Sequence, residues 1–118
     1  MWKRVRLELA RTPEAPEGRR DCGYDIAMPL DREGHLQVEE WRKHRERASV
    51  LRFWHNEDPQ TGVLIHSRHG WAFSYAPGED DDEPIYKLEG HRLRQGEYIS
   101  VTEKGVTLPF HVASVEAS

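Results

Sequence analysis

The amino-acid sequence predicts a mainly β chain, folded as a small, partly open antiparallel barrel of about seven strands with one short α-helix. Three observations carry this. Apolar side chains recur at every second position in most segments, glycine, proline and aspartate punctuate those segments at short intervals, and a helical arrangement occurs once. The 118 residues match one ordinary domain, 1–118, with enough apolar material for one core without a disulfide or structural metal. An α+β arrangement, one helix packed on a twisted antiparallel sheet, is the alternative that these short apolar runs leave open.

The first strand is read in Val5, Leu7 and Leu9, which alternate with Arg4, Arg6 and Glu8. Residues 11–21 carry Pro13, Pro16 and Gly18 among charges and predict an exposed loop. Tyr24, Ile26, Met28 and Leu30 alternate again; the second strand should end near Pro29, which cannot donate to a ladder, before a turn at Asp31-Arg32-Glu33-Gly34. The helix follows over 38–47. Leu36 and Trp41 bracket Gln37 and Glu40 as a hydrophobic staple around a capping box. Glu39 with Lys43 and Glu40 with His44 are spaced for ion pairs of about 0.2–0.5 kcal/mol each. The apolar stripe of Val38, Trp41 and Ala48 is thin, so this helix should lie across one end or face of the sheet.

Beyond Ser49 the two-residue rhythm returns in Val50-Leu51-Arg52-Phe53-Trp54, Val63-Leu64-Ile65-His66 and Trp71-Ala72-Phe73-Ser74-Tyr75. Residues 56–62, with Asp58-Pro59, predict the first intervening turn, and His69-Gly70 the second, a tight hairpin. Trp71, Phe73 and Tyr75 fall on one face as an aromatic ladder, opposite Ala72, Ser74 and Ala76. The self-repelling acidic run over 78–84 predicts a solvated loop, followed by a short segment around Ile85-Tyr86-Lys87-Leu88. A hairpin across Lys104-Gly105 then joins Tyr98-Ile99-Ser100-Val101 to the run from Val106 to Val112, and a slip in alternation before Val115 predicts a β-bulge near Ala113.

Cys22 is the only cysteine, which fits a reducing compartment and an inert thiol. The opening Met1-Trp2-Lys3-Arg4-Val5-Arg6 has no apolar run of signal-peptide length, and no span is long and apolar enough for a membrane helix. A cytoplasmic protein without membrane association is the expectation. A net charge of −4 sets the chain apart from globally basic nucleic-acid binders.

Charge is nevertheless segregated. Arg42, Lys43, His44, Arg45 and Arg47, followed by Arg52 and Trp54, place basic beside aromatic groups, as platforms for single-stranded RNA or DNA do, whereas interleaved Glu39, Glu40 and Glu46 fit a solvated helix face. The same asymmetry could steer a protein partner or a second copy of the chain. Trp54, Trp71, Phe73 and Tyr75 could line a ligand pocket with Arg52 or Arg68 at its mouth, or fill the core. His66 and His69, with His55, invite a zinc reading, but their spacing is no established metal signature and surface histidines explain them better. Asp80, Asp81 and Asp82, with Glu79 and Glu83, lack the spacing of a calcium loop. Ser67, Ser74 and Ser100 lie in no nucleophile elbow, and Gly90 and Gly96 form no phosphate-binding loop. The sequence therefore names no catalytic residue, metal or cofactor.

Glu39-Glu40-Trp41-Arg42-Lys43-His44-Arg45, Gly70-Trp71-Ala72-Phe73-Ser74-Tyr75 and the stretch from His91 to Gly96-Glu97-Tyr98 together resemble a family of small conserved bacterial proteins that carries no known activity. The resemblance spans most of the chain and brings no site residue with it. Gly96-Glu97-Tyr98-Ile99-Ser100-Val101 with Pro109-Phe110-His111-Val112 is similar to paired strands of SH3-like barrels, which bears on the fold alone. The function expected is a small non-enzymatic binding or protein-interaction module. A single-stranded nucleic-acid binder and a small enzyme with a histidine-containing site are the alternatives.

Overall fold

A computed structural model describes residues 1–75 and 82–118. Its strands are β1 (Trp2–Leu9), β2 (Arg19–Pro29), β3 (Ser49–Trp54), β4 (Glu57–Ser67), β5 (Gly70–Ser74), β6 (Glu83–Pro84), β7 (Tyr98–Glu103) and β8 (Val106–Ala117), with one α-helix, α1 (Val38–Lys43), between β2 and β3. All pair antiparallel in one sheet of order β6-β5-β4-β3-β2-β1-β8-β7. The sheet curls until its two edges meet. Ile85, just past β6, bridges Val101 of β7, and the Tyr86 amide donates to the Ser100 carbonyl at 3.0 Å. The result is a nearly closed eight-stranded barrel, one strand more than the alternation predicts.

Period-two patterning explains the interior. Val5, Leu7 and Leu9 of β1, Tyr24, Ile26 and Met28 of β2, Val50 of β3, Leu64 of β4, Trp71 and Phe73 of β5, Ile99 and Val101 of β7, and Phe110 and Val112 of β8 are all buried in one cluster. At its centre the Tyr24 ring lies 4.7 Å from Phe73, tilted against it, and 5.2 Å from Phe110 in the edge-on arrangement that suits aromatic quadrupoles. Gly23 is required where β1 and β2 approach closely, because a Cβ there would sit 1.9 Å from the Leu7 carbonyl oxygen. The bulge read near Ala113 is present: β8 shifts register against β1 between the Leu7–Val112 and Arg6–Ser114 pairs.

Several elements differ from the sequence expectation. The helix stops at Lys43 and tightens into a 3-10 turn at Arg45–Arg47. Leu36 and Trp41 are both buried, as a staple requires, but among the described residues no side chain caps α1. Glu40 does face His44, whereas Glu39 pairs with Arg42 instead of Lys43. Residues 57–62 belong to strand β4, and the turn before them is the pair His55-Asn56, with Asn56 in the left-handed region at φ 61°. Pro59 is accommodated because β4 bulges against β3 between the Arg52–Gln60 and Trp54–Glu57 pairs. β2 begins at Arg19, inside the segment expected to be an exposed loop.

Of the acidic run, Gly78, Glu79, Asp80 and Asp81 lie outside the described residues, as does Ala76. Glu83, expected in a solvated loop, is buried inside the barrel mouth as the first residue of β6. Among the described residues no helix is long and apolar enough to cross a membrane.

Candidate ligand-binding cleft at the barrel end

Because neighbouring strands run in opposite directions, the last residues of β3, β5 and β7 and the first residues of β4 and β6 gather at one end of the barrel. That end is charged. Arg52 follows Val50 by two positions on β3 and so points inward with it; the side chain is only 3 % exposed. Its Nη1 donates to Glu57 Oε1 at 3.0 Å, its Nη2 to Glu103 Oε1 at 2.6 Å, and its Nε lies 3.5 Å from Glu83 Oε2. The guanidinium also stacks over Trp54, 4.6 Å from the ring centroid. Tyr75 donates its hydroxyl to Glu83 Oε1 at 2.6 Å, fixing that carboxylate from the other side.

These contacts set the protonation behaviour of the end. Burial pushes the Glu83 carboxyl above the ordinary glutamate range and nearby Glu103 adds to the rise, against the Tyr75 hydrogen bond and Arg52. Burial lowers the Arg52 affinity for its proton, but the hydrogen bonds to Glu103 and Glu57 more than offset this, so it stays charged. The Tyr24 and Tyr75 hydroxyls are both raised well beyond the usual tyrosine range, first by burial and then by Glu83, so both remain protonated donors.

Between the hairpin ends lies a cavity of about 300 Å³ lined by Arg52, Glu57, Gln60, Tyr75, Asp82, Glu83, Glu103 and Lys104. Its charged lining is four carboxylates, Glu57, Asp82, Glu83 and Glu103, against two cations, Arg52 and Lys104. Among the described residues, Asp82 Oδ1, the Tyr24 hydroxyl and Arg52 Nε are buried without a hydrogen-bond partner of ordinary geometry.

The residues singled out from the sequence fall into four places. Arg52, Trp54 and Tyr75 come together at this charged end. Trp71 lies at the opposite end, at the start of β5, in edge contact with Trp41 at 4.6 Å and stacked against His66 at 4.5 Å. His66 and His69 line a groove there with Trp71 and Glu89, whose carboxylate accepts from Trp71 Nε1 at 2.6 Å. Arg68, exposed in the turn before Gly70, donates to His69. Arg42, Lys43 and Arg45 are exposed on and after α1 whereas Arg52 is buried, so the basic stretch does not form one exposed surface with Arg52. The indoles nearest the helix cations are buried, with Arg45 over Trp41 and Arg47 over Trp2.

His55 is drawn from the other histidines to Asp21, its Nδ1 2.8 Å from Oδ2. Asp21 is also bound by Arg19, whose hydrogen bonds hold it well below the usual carboxylate range. Among the described residues no three histidine, cysteine, aspartate or glutamate side chains are grouped to hold a metal ion.

Sequence reasoning missed Glu57 and Glu103, and it placed Glu83 in solvent. One signal was available: Arg52 occupies an inward position of an apolar strand, and a buried guanidinium demands carboxylates. Compared with protein-family models, with curated proteins and with solved structures, the chain matches none.

Proposed function

We propose that this chain is a small non-enzymatic binding module that takes a small polar ligand in the cleft between the β3–β4 turn and the ends of β5, β6 and β7. The observation that carries this reading is the placement of Arg52 and Glu83 inside the barrel mouth beside an open cavity of about 300 Å³. Apolar filler of the same volume would serve the core as well or better, since removing charges from water costs several kcal/mol per ion before pairing offsets it. Ligand sites combine an enclosed volume with a few fixed polar groups, and Arg52, Tyr75 and Glu83 are fixed by one another. A second, histidine-lined groove exists at the opposite end, but its polar groups, His66 and Glu89, are both exposed.

The test is a titration of isotope-labelled protein with a fragment set that spans cations, neutral molecules and anions. The Gln60 side-chain amide and the backbone amides of Tyr75 and Glu103 should move together for the fragments that bind. Perturbations confined to other surfaces, or none for any fragment, would overturn the assignment.

A further inference from the structure

We infer that the cleft selects an organic cation, a guanidinium or primary ammonium group carrying several N–H donors. The inference rests on the proposed binding function and adds the chemistry of the ligand.

The charge count comes first. Two carboxylates remain in excess at a mouth where the dielectric is well below that of water, so an entering cation is favoured and an anion is repelled. Donor and acceptor balance points the same way. Asp82 Oδ1, on the cavity lining, is an acceptor sealed from water with no donor among the described residues. A donor-rich group satisfies that oxygen, whereas an acceptor-rich one leaves it as it is and can meet only Arg52 Nε, which Glu83 already faces at 3.5 Å.

The cleft also demonstrates that it can hold this chemistry. Its own Arg52 guanidinium sits between Glu57 and Glu103 with an indole beneath it, and Glu57 and Glu103 both reach solvent, with side chains 53 % and 22 % exposed. A second cation can therefore share these carboxylates from the solvent side. A bare metal ion fits less well, because among the described residues the acids do not converge as a metal shell. Lys104, exposed at the rim on left-handed backbone at φ 49°, supplies the competing charge that an incoming group must displace.

Agmatine, which bears a guanidinium and an ammonium group, is the probe; glutarate and acetamide are its anionic and neutral counterparts. Titrated calorimetrically at low salt, with the Gln60 and Tyr75 resonances as reporters, agmatine should bind in the cleft and glutarate should not. Asp82→Asn removes one charge without taking a hydrogen bond from Arg52, and should weaken agmatine about tenfold. Lys104→Asn removes the competing cation while keeping a residue that tolerates the left-handed turn, and should tighten it several-fold.

Cleft resonances that respond to glutarate or acetamide but not to agmatine would overturn the cationic selection and leave the binding function standing. Agmatine binding that neither variant changes would show attraction to the net negative chain and overturn it as well. A cleft silent to every compound would remove the binding function itself.

Discussion

Tyr24 belongs to two different interiors. Its ring is part of an apolar half in which Phe73, Phe110 and the β1 and β2 side chains touch one another, while its hydroxyl meets the charged half at Glu83. In the first half each buried Å² is worth about 25 cal/mol whatever the orientation of its neighbours. In the second, the contribution of any group depends on whether its partners are in place. The barrel is held together by the first and given its chemical character by the second.

Truncation separates the two halves most forcefully. Phe73→Ala should lower stability by about 3–5 kcal/mol in urea denaturation, because it leaves a cavity that the surrounding strands cannot close. Arg52→Ala should cost a similar amount, about 3–5 kcal/mol, for a different reason: it strands the buried Glu83 carboxylate. Rescue separates the two. The double variant Arg52→Met, Glu83→Leu should return to within about 1 kcal/mol of the parent, since an apolar pair removes the desolvation problem along with the attraction. If it stays as unstable as Arg52→Ala, the charged end is a stabilising device and the two halves do not differ in this way.

A smaller effect sharpens the same contrast through pH. Burial raises the folded-state value of Glu83, so the folded chain holds its proton more tightly than the unfolded chain. The ionised form therefore loses stability as pH rises from the ordinary glutamate range to the raised value, and Glu83→Gln should flatten that part of the urea-midpoint profile. Asp31, at the outer turn after β2, behaves in the opposite sense. Its carboxylate accepts from the backbone amides of His35 and Glu33, which lower its value, so its contribution is present above the ordinary aspartate range and lost as pH falls. The smallest effect belongs to the helix surface. Arg42→Ala, which removes an exposed pair with Glu39, should change stability by less than about 0.5 kcal/mol in the same assay.

Most of the barrel was legible because burial on one face writes itself as alternation. The inward residues of β1, β2, β5 and β7, the Lys104-Gly105 hairpin and the bulge at Ala113 all follow from it. β4 was half invisible: over 57–62 the strand is largely exposed, so no apolar period marks it, and Pro59 reads as a turn until a bulge accommodates it. The charged end was hidden for a related reason. An acidic run normally stays in water, and only the distant Arg52 and Tyr75 bring Glu83 inside, a dependence that no local pattern records. Arg52, Trp54 and Tyr75 were singled out together as a pocket, but with Trp71, which lies at the other end, and Phe73, which fills the core, because which strand ends meet is a property of the sheet order.

The closure through β6 has a mechanical consequence. A strand of two residues completes the circumference, so this is where the ring opens at least expense, and the Ile85 and Tyr86 amides should exchange with deuterium long before those of β1. Arg52 grips Glu83 on one lip of that opening and Glu103 on the other. Whatever occupies the cleft thus acts as a clasp, and its arrival can be timed by how much it delays the exchange.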